Sequence, residues 1–341
     1  MADIFQNGAF FMGFDMDPTA AQIFTQSNHG SASASTPYSF GFSWSTGGNT
    51  AGILFNTNLI TVIVGFAVNI QTSASNTTIC NFVDATAGAV QVSLQFTSTG
   101  ALQFYRGGTA IGPASAAGTF TVSTWYYIEC LVTISGTVGV VQCNVNGGNV
   151  IANTGSLNTQ NTANTWVNAF SFQGFNASFF DDWYMLDTTG ASPLNTYLGP
   201  VQVRGDAPNA NSAVGGRNAW TPTNPTNVNH SNVANIPANA AEYNADSTVG
   251  DYDMFQFPSL PSNTGKIFAV DEWALTLIDS SGARTIGLNC YSGGTDSLGT
   301  AFTPGVSAGY TNLLSAVDPN TSSAWTVSNA QAAELGVKVI S

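Results

Sequence analysis

Charge is scarce in this sequence. Only 7% of its 341 residues are Asp, Glu, Lys or Arg, against roughly a quarter in an average soluble domain. Arg106, Arg204, Arg217, Lys266, Arg284 and Lys338 are the whole basic set. They form no cluster. A nucleic-acid binder would need a basic patch to neutralise phosphates, so that class is excluded. Anionic membrane surfaces are disfavoured for the same reason. The longest apolar run, Leu59 to Val68, is about half the length a membrane helix needs, and no membrane insertion is expected. The N-terminal stretch "MADIFQNGAFFMGFDMD" lacks a basic region before its apolar residues, so it does not read as a secretion signal. Cysteine is sparse too. Cys80, Cys130, Cys143 and Cys290 show no CxxC or Cys/His spacing that would suggest zinc.

In place of charge the chain carries Asn, Ser, Thr and Gly, with many Val, Ile, Phe and Tyr. This is strand composition. From about residue 38 to 187, short apolar or alternating runs are separated by Gly, Ser, Thr and Asn turns. Expected strands are Tyr38–Trp44, Gly52–Asn56, Leu59–Ile70, Ile79–Asp84, Val90–Phe96, Leu102–Arg106, Trp125–Ile134 and Gly139–Val145, then Phe170–Asp187 as two strands. A turn near Ser135 to Thr137 would place Cys130 opposite Cys143, so a cross-strand disulfide is geometrically conceivable. Without an export signal, two reduced, buried thiols are the expectation.

The composition then shifts. Residues 204–243 are rich in Pro, Asn and Gly and have little hydrophobic periodicity. Strands resume over Met254–Phe257, Ile267–Ile278, Thr285–Tyr291 and Ala308–Leu314. A closing helix is expected over Val327–Leu335, with Thr326 or Ser328 at its start and Gly336 as its C-cap. Two domains follow. Residues 1–196 and 197–341 are both all-β, with 197–250 as an extended loop or arm.

The first domain resembles the concanavalin A-like, laminin-G-like jelly-roll sandwich. The resemblance lies in "NLITVIVGFAV", "ICNFVDATAGAVQVSLQFTSTGALQFYRGG", "WYYIECLVTISGTVGVVQCNVNGGNVI" and "GFNASFFDDWYMLD". The second, a smaller β-rich domain with a short terminal helix, resembles modules of bacteriophage virion structural proteins. It does so through "NAWTPT", "GDYDMFQFPSLP", "CYSGGT" and "VDPNTSSAWTVSNAQAAELGVKV". The pair implies a virion component, made in the host bacterial cytoplasm and displayed on the particle exterior as tail fibre, adhesin or head decoration. Its partners would be other virion proteins and copies of itself, with a trimer among the expected symmetries.

The sites are weighed against that background. Asp181 and Asp182 are the candidate metal ligands, for calcium at a rim. Adjacent residues in a strand face opposite sides, which argues against a converging acid–base couple. The alternative is that one carboxylate accepts backbone N–H groups from a loop while the other faces solvent. The hydrolases of this superfold carry a Glu-x-Asp-x-Glu run. None of Glu129, Glu242, Glu272 and Glu334 stands in one, so no enzyme activity is expected. "DSTVGDYD", Asp246 to Asp253, is compatible with calcium but reads first as a solvated turn. The "RGD" at Arg204 reads as a solvated loop. The sequons at Asn76, Asn176, Asn229 and Asn320 carry no weight in a bacterial cytoplasm. His29 and His230 neighbour no nucleophile motif. Tyr105, Arg106, Tyr197 and Trp220 are the candidate carbohydrate contacts for a host-surface glycan. The expected action is assembly and binding, with a host-glycan lectin as the alternative and a glycan hydrolase disfavoured.

Overall fold

A computed structural model describes residues 5–12, 30–33, 43–45, 51–71, 76–152, 155–173, 178–236, 238–278 and 284–341. His29, Asn176 and most of the expected strand Tyr38–Trp44 lie outside them. Nearly all regular structure is β, in two compact units. The first ends at Gly205 and the second runs Asp206–Ser341.

The first unit holds β1 (Ala9–Met12), β2 (Gly30–Ser33), β3 (Ser43–Ser45), β4 (Ala51–Leu59), β5 (Thr61–Ile70), β6 (Thr77–Asp84), β7 (Ala89–Phe96), β8 (Leu102–Arg106), β9 (Thr109–Ile111), β10 (Trp125–Thr133), β11 (Val140–Val145), β12 (Gly148–Ile151), β13 (Val167–Phe172) and β14 (Ser178–Leu186). One sheet runs β12-β11-β10-β5-β14-β3-β2, with β1 also on β14; the other runs β4-β13-β6-β7-β8-β9. The two pack face to face as a jelly-roll sandwich. Phe66 and Phe180 of the first sheet meet Phe172 of the second, with ring centroids 5.1 and 4.4 Å away. Trp183 lies 5.5 Å from Phe170 and 5.2 Å from Phe10. Such interlocked aromatic pairs carry energy beyond area burial. Cys130 and Cys143 are register partners, as the turn position implies, and both are buried free thiols.

The second unit holds β15 (Ala210–Asn211), β16 (Thr221–Pro222), α1 (Asn229–Asn232), β17 (Asn244–Ala245), β18 (Tyr252–Gln256), β19 (Val270–Thr276), β20 (Ile286–Ser292), β21 (Thr295–Leu298), β22 (Gly309–Ser315), α2 (Val327–Ala332) and β23 (Glu334–Val339). A five-stranded sheet runs β15-β18-β23-β20-β21, and β19 pairs with β22 in a separate ribbon. Cys290, Trp325 and Ala333 form an apolar cluster with Leu313 and Leu335 around it.

The closing helix is shorter than expected. Thr326 caps it, accepting the Asn329 N–H at 3.1 Å. It ends at Ala332, and Gly336 is not its C-cap. Gly336 sits inside β23, between β18 and β20. A side chain there would put Cβ 2.0 Å from the Asp253 carbonyl oxygen. The glycine is needed for close backbone approach, and pairing on both sides overrides local helix preference.

Candidate functional site

Asp181 and Asp182 do not alternate as a regular strand would. The β14–β5 register shifts between Asp181 and Tyr184, and Asp182 has φ +49°. This is a β-bulge, which inserts one residue and re-aims its neighbours. The expectation that one carboxylate faces solvent is wrong. Asp181 is 1% exposed and Asp182 2%. Asp182 Oδ1 accepts the Val203 N–H at 2.7 Å, and its carbonyl accepts the Tyr127 hydroxyl at 3.0 Å. Asp181 Oδ1 accepts the Asp182 N–H at 2.8 Å. Glu129 works beside them, its Oε1 taking the Tyr184 hydroxyl at 2.5 Å and the Gly199 N–H at 2.8 Å. Burial, then the neighbouring Glu129 carboxylate, pushes the Tyr184 hydroxyl well above the usual phenol range. Tyr184 lies flat over Gly65, where an added Cβ would be 2.1 Å from the ring. These buried groups strap residues 198–203 onto the outer face of the larger sheet. Such contacts suit a loop tie better than a calcium cage. Among the described residues, no group of three or more His, Cys, Asp or Glu side chains could hold a metal ion.

The outer face of the six-stranded sheet is different. Phe170, Phe172, Cys80, Phe82, Val92, Leu94, Leu102 and Phe104 are buried. Strand alternation therefore turns the residues between them outward. Register aligns Ser171 with Asn81, Asn81 with Ser93, and Ser93 with Tyr105. Gln95 and Gln103 form a neighbouring pair. The result is a row of hydroxyl, amide and phenol groups across β13, β6, β7 and β8. Asn81 and Ser93 are its recessed middle, at 8% and 7% exposure, and Ser171, Gln173, Gln95 and Tyr105 are half-buried around them. The internal contacts of the row are long. Asn81 Nδ2 reaches Ser171 Oγ at 3.3 Å and Gln173 Oε1 at 3.4 Å, and Gln95 Nε2 reaches Ser93 Oγ at 3.4 Å. These lie beyond the usual N–H···O range, so the groups are loosely held. Gln103 is committed instead, donating to the Ile111 carbonyl at 2.9 Å.

The four candidate carbohydrate contacts are not brought together. Tyr105 stands on the polar row, and Arg106 ends the same strand with Nη1 3.5 Å from the Asn158 carbonyl. Tyr197 belongs to the segment next to the strap at Leu198 and Gly199, on the opposite sheet. Trp220 is in the second unit, its carbonyl bound by Asn229. Asn81, Ser93, Gln95, Ser171 and Gln173 escaped the sequence reading. Their signal was present in "ICNFVD", "VQVSLQF" and "AFSFQ", where small polar residues alternate with buried apolar ones.

"DSTVGDYD" is not a solvated turn throughout. Asp253 is 1% exposed. Three asparagines donate to it: Asn244 at 2.6 Å, Asn229 at 2.7 Å and Asn218 at 3.3 Å. Burial still raises its carboxyl above the usual range against those bonds. The Asn-rich arm thus folds around one carboxylate.

No protein-family model matches the chain, and no curated protein matches it in sequence. Solved structures that resemble it include a cellulose-induced protein, Cip1, at TM-score 0.34 and 14% identity, covering 48% of this chain and 87% of that one. Carbohydrate binding module CBM66 from Bacillus subtilis matches at TM-score 0.29 and 12% identity, over 48% of this chain and 93% of that one. A Trypanosoma rangeli sialidase matches at TM-score 0.34 and 12% identity, over 54% of this chain and 31% of that one.

Proposed function

We propose that the chain is an adhesive protein that binds glycan without a chemical step, and that the outer face of the six-stranded sheet is its sugar-binding surface. The row Ser171–Asn81–Ser93–Tyr105 carries this reading. Sugar hydroxyls both donate and accept, and an amide or hydroxyl can answer either role. Groups held by 3.3–3.4 Å contacts lose little when they exchange partners for a ligand. Tyr105 adds an aromatic surface at one end. The second unit, with its resemblance to virion modules, would attach the chain to other virion proteins on the particle exterior, in a homo-oligomer.

A glycan array with the purified full chain tests the binding. Asn81→Ala and Tyr105→Ala are expected to weaken the strongest hit about tenfold or more, each removing roughly one to two hydrogen bonds or one ring contact. Tyr197→Phe and Trp220→Phe should leave it unchanged. Binding that survives both face variants would move the site elsewhere. Antibody labelling of intact particles tests the display.

A further inference from the structure

The row on the six-stranded sheet reaches farther than its polar middle. Register aligns Gly52 of β4 with Ser171, and Ala110 of β9 with Tyr105. The full line is Gly52–Ser171–Asn81–Ser93–Tyr105–Ala110, one residue from each strand of the sheet. It runs across the strands from edge to edge. Both ends are small. A Cβ added to Gly52 would stand 3.2 Å from the Ser171 Cβ, so a larger residue would crowd the line. Ala110 is exposed. The flanks are spoken for. Gln103 donates to the Phe104 and Ile111 carbonyls at 3.1 and 2.9 Å. Two residues before Ser93, Gln91 is the extra residue of a bulge. Its Oε1 accepts the Asn161 and Thr162 N–H groups at 2.6 and 3.1 Å, which ties the loop before β13 down and keeps this amide off the line. The six strands carry only two charges, Asp84 and Arg106, each the last residue of its strand. Asp84 is buried and accepts the Thr162 hydroxyl at 2.6 Å and Asn164 Nδ2 at 2.9 Å.

Resting on the sugar-binding reading of this face, we propose that its ligand is an extended, neutral, β-1,4-linked glycan, bound along an internal stretch with the chain crossing the strands. Neighbouring strands lie about 4.8 Å apart, close to the length that one pyranose ring adds to such a chain. Ser171, Asn81, Ser93 and Tyr105 then meet four successive rings. Each offers a donor or acceptor to ring hydroxyls, and Tyr105 adds a face for stacking. A β-1,4 linkage keeps successive rings nearly in line, as these residues are; a coiled chain would leave the sheet after a ring or two. A site for a terminal sugar needs a wall at one end. Here Gly52 and Ala110 leave both ends open, so the chain runs on past them. Charge separates neutral from acidic chains. Uronates, sialic acids and phosphate-linked units call for a cation. The line has none, and the net charge of −13 repels them.

Calorimetric titration of the full chain tests this. The probes are β-1,4-linked gluco-, manno-, xylo- and N-acetylglucosamine oligomers of increasing length, with oligogalacturonate as the acidic probe. At least one neutral ladder should bind, its affinity rising about threefold or more with each ring up to about four and then levelling off. Oligogalacturonate should bind about tenfold more weakly than the neutral tetramer, or worse. Ser171→Ala, near one end of the line, should weaken the tetramer about threefold and leave the dimer, seated toward Tyr105, unchanged. A monomer that binds as tightly as the tetramer, and is lost in Asn81→Ala, overturns the crossing chain while the face remains a sugar site. Oligogalacturonate binding as tightly as the neutral chains overturns the neutral assignment. Failure of every neutral ladder overturns the whole proposal, and the glycan array then shows whether the face takes another class of sugar or none.

Discussion

The two units bury carboxylates alike but differ in what surrounds them. In the first, the centre is aromatic. The largest fully buried side chains, from Trp183, Tyr127 and Tyr184 to Phe180, all belong to it, and its buried carboxylates, Asp84, Glu129, Asp181 and Asp182, tie loops onto the sandwich. In the second, carboxylates occupy the interior. Asp253 gathers three asparagines. Glu334 accepts from the Ser212 hydroxyl, from the Ala213 N–H at 2.9 Å and from Gln256 at 3.3 Å. Asp318 accepts from Asn320 N–H, Thr321 and Asn329. The first unit adds a large aromatic core to its hydrogen-bonded ties, and the second has a smaller apolar cluster beside them. A buried polar network stabilises only while every member is paired, so the second unit should be the more brittle to single polar changes.

Four substitutions probe that contrast. Trp183→Ala should cost the first unit about 3–5 kcal/mol, as large-to-small core changes do. Chemical denaturation followed by hydrogen exchange should locate the loss in residues 51–186 alone; a matching loss in the second unit would erase the distinction. Asp253→Ala removes one carboxylate and strands three amides, at roughly 2–4 kcal/mol. Exchange should rise first around Asn218, Asn229 and Asn244. If it does not, the arm is held by something other than this hub.

Asp271→Asn gives a smaller and pH-dependent effect. Burial pushes the Asp271 carboxyl up to about 7, against bonds from Asn312 and Trp273. The native state therefore keeps this proton up to about pH 7, while the unfolded chain releases it near the ordinary value of about 4. The stability from this group is full below about pH 4 and falls as pH rises through about 7. The variant should be the more stable at pH 8, with the gain shrinking toward pH 4. Urea midpoints across that range give the sign. Thr326→Ala, which removes the cap of α2, should cost only about 1 kcal/mol in the same assay.

Much of the sandwich was legible before any coordinates. The strand Leu102–Arg106 was read to the residue, and the Cys130–Cys143 register followed from one turn. Alternation and turn residues are local signals, and they survive folding. The residues that anchor the loops were less legible. Asp182 and Gln91 are both bulge residues, and a bulge is a property of two strands together. Nothing in "FFDDWY" or "AVQVSL" announces it. Gly336 was misread for a related reason. A glycine after a short helix resembles a cap, and only the approach of the Asp253 backbone reveals its role. The polar row on the six-stranded sheet could have been read. Its members lie at alternate positions, but Ser, Asn and Gln draw less notice than Lys or Glu.

The carboxylates of this protein are partnered mainly by amides and hydroxyls, and six basic residues against nineteen acids leave few other options. Salt chiefly weakens attractions between opposite charges. Here there is little of that to weaken, while the surplus of thirteen negative charges is a repulsion that added ions relieve. The fold should therefore hold as well in brine as in dilute buffer.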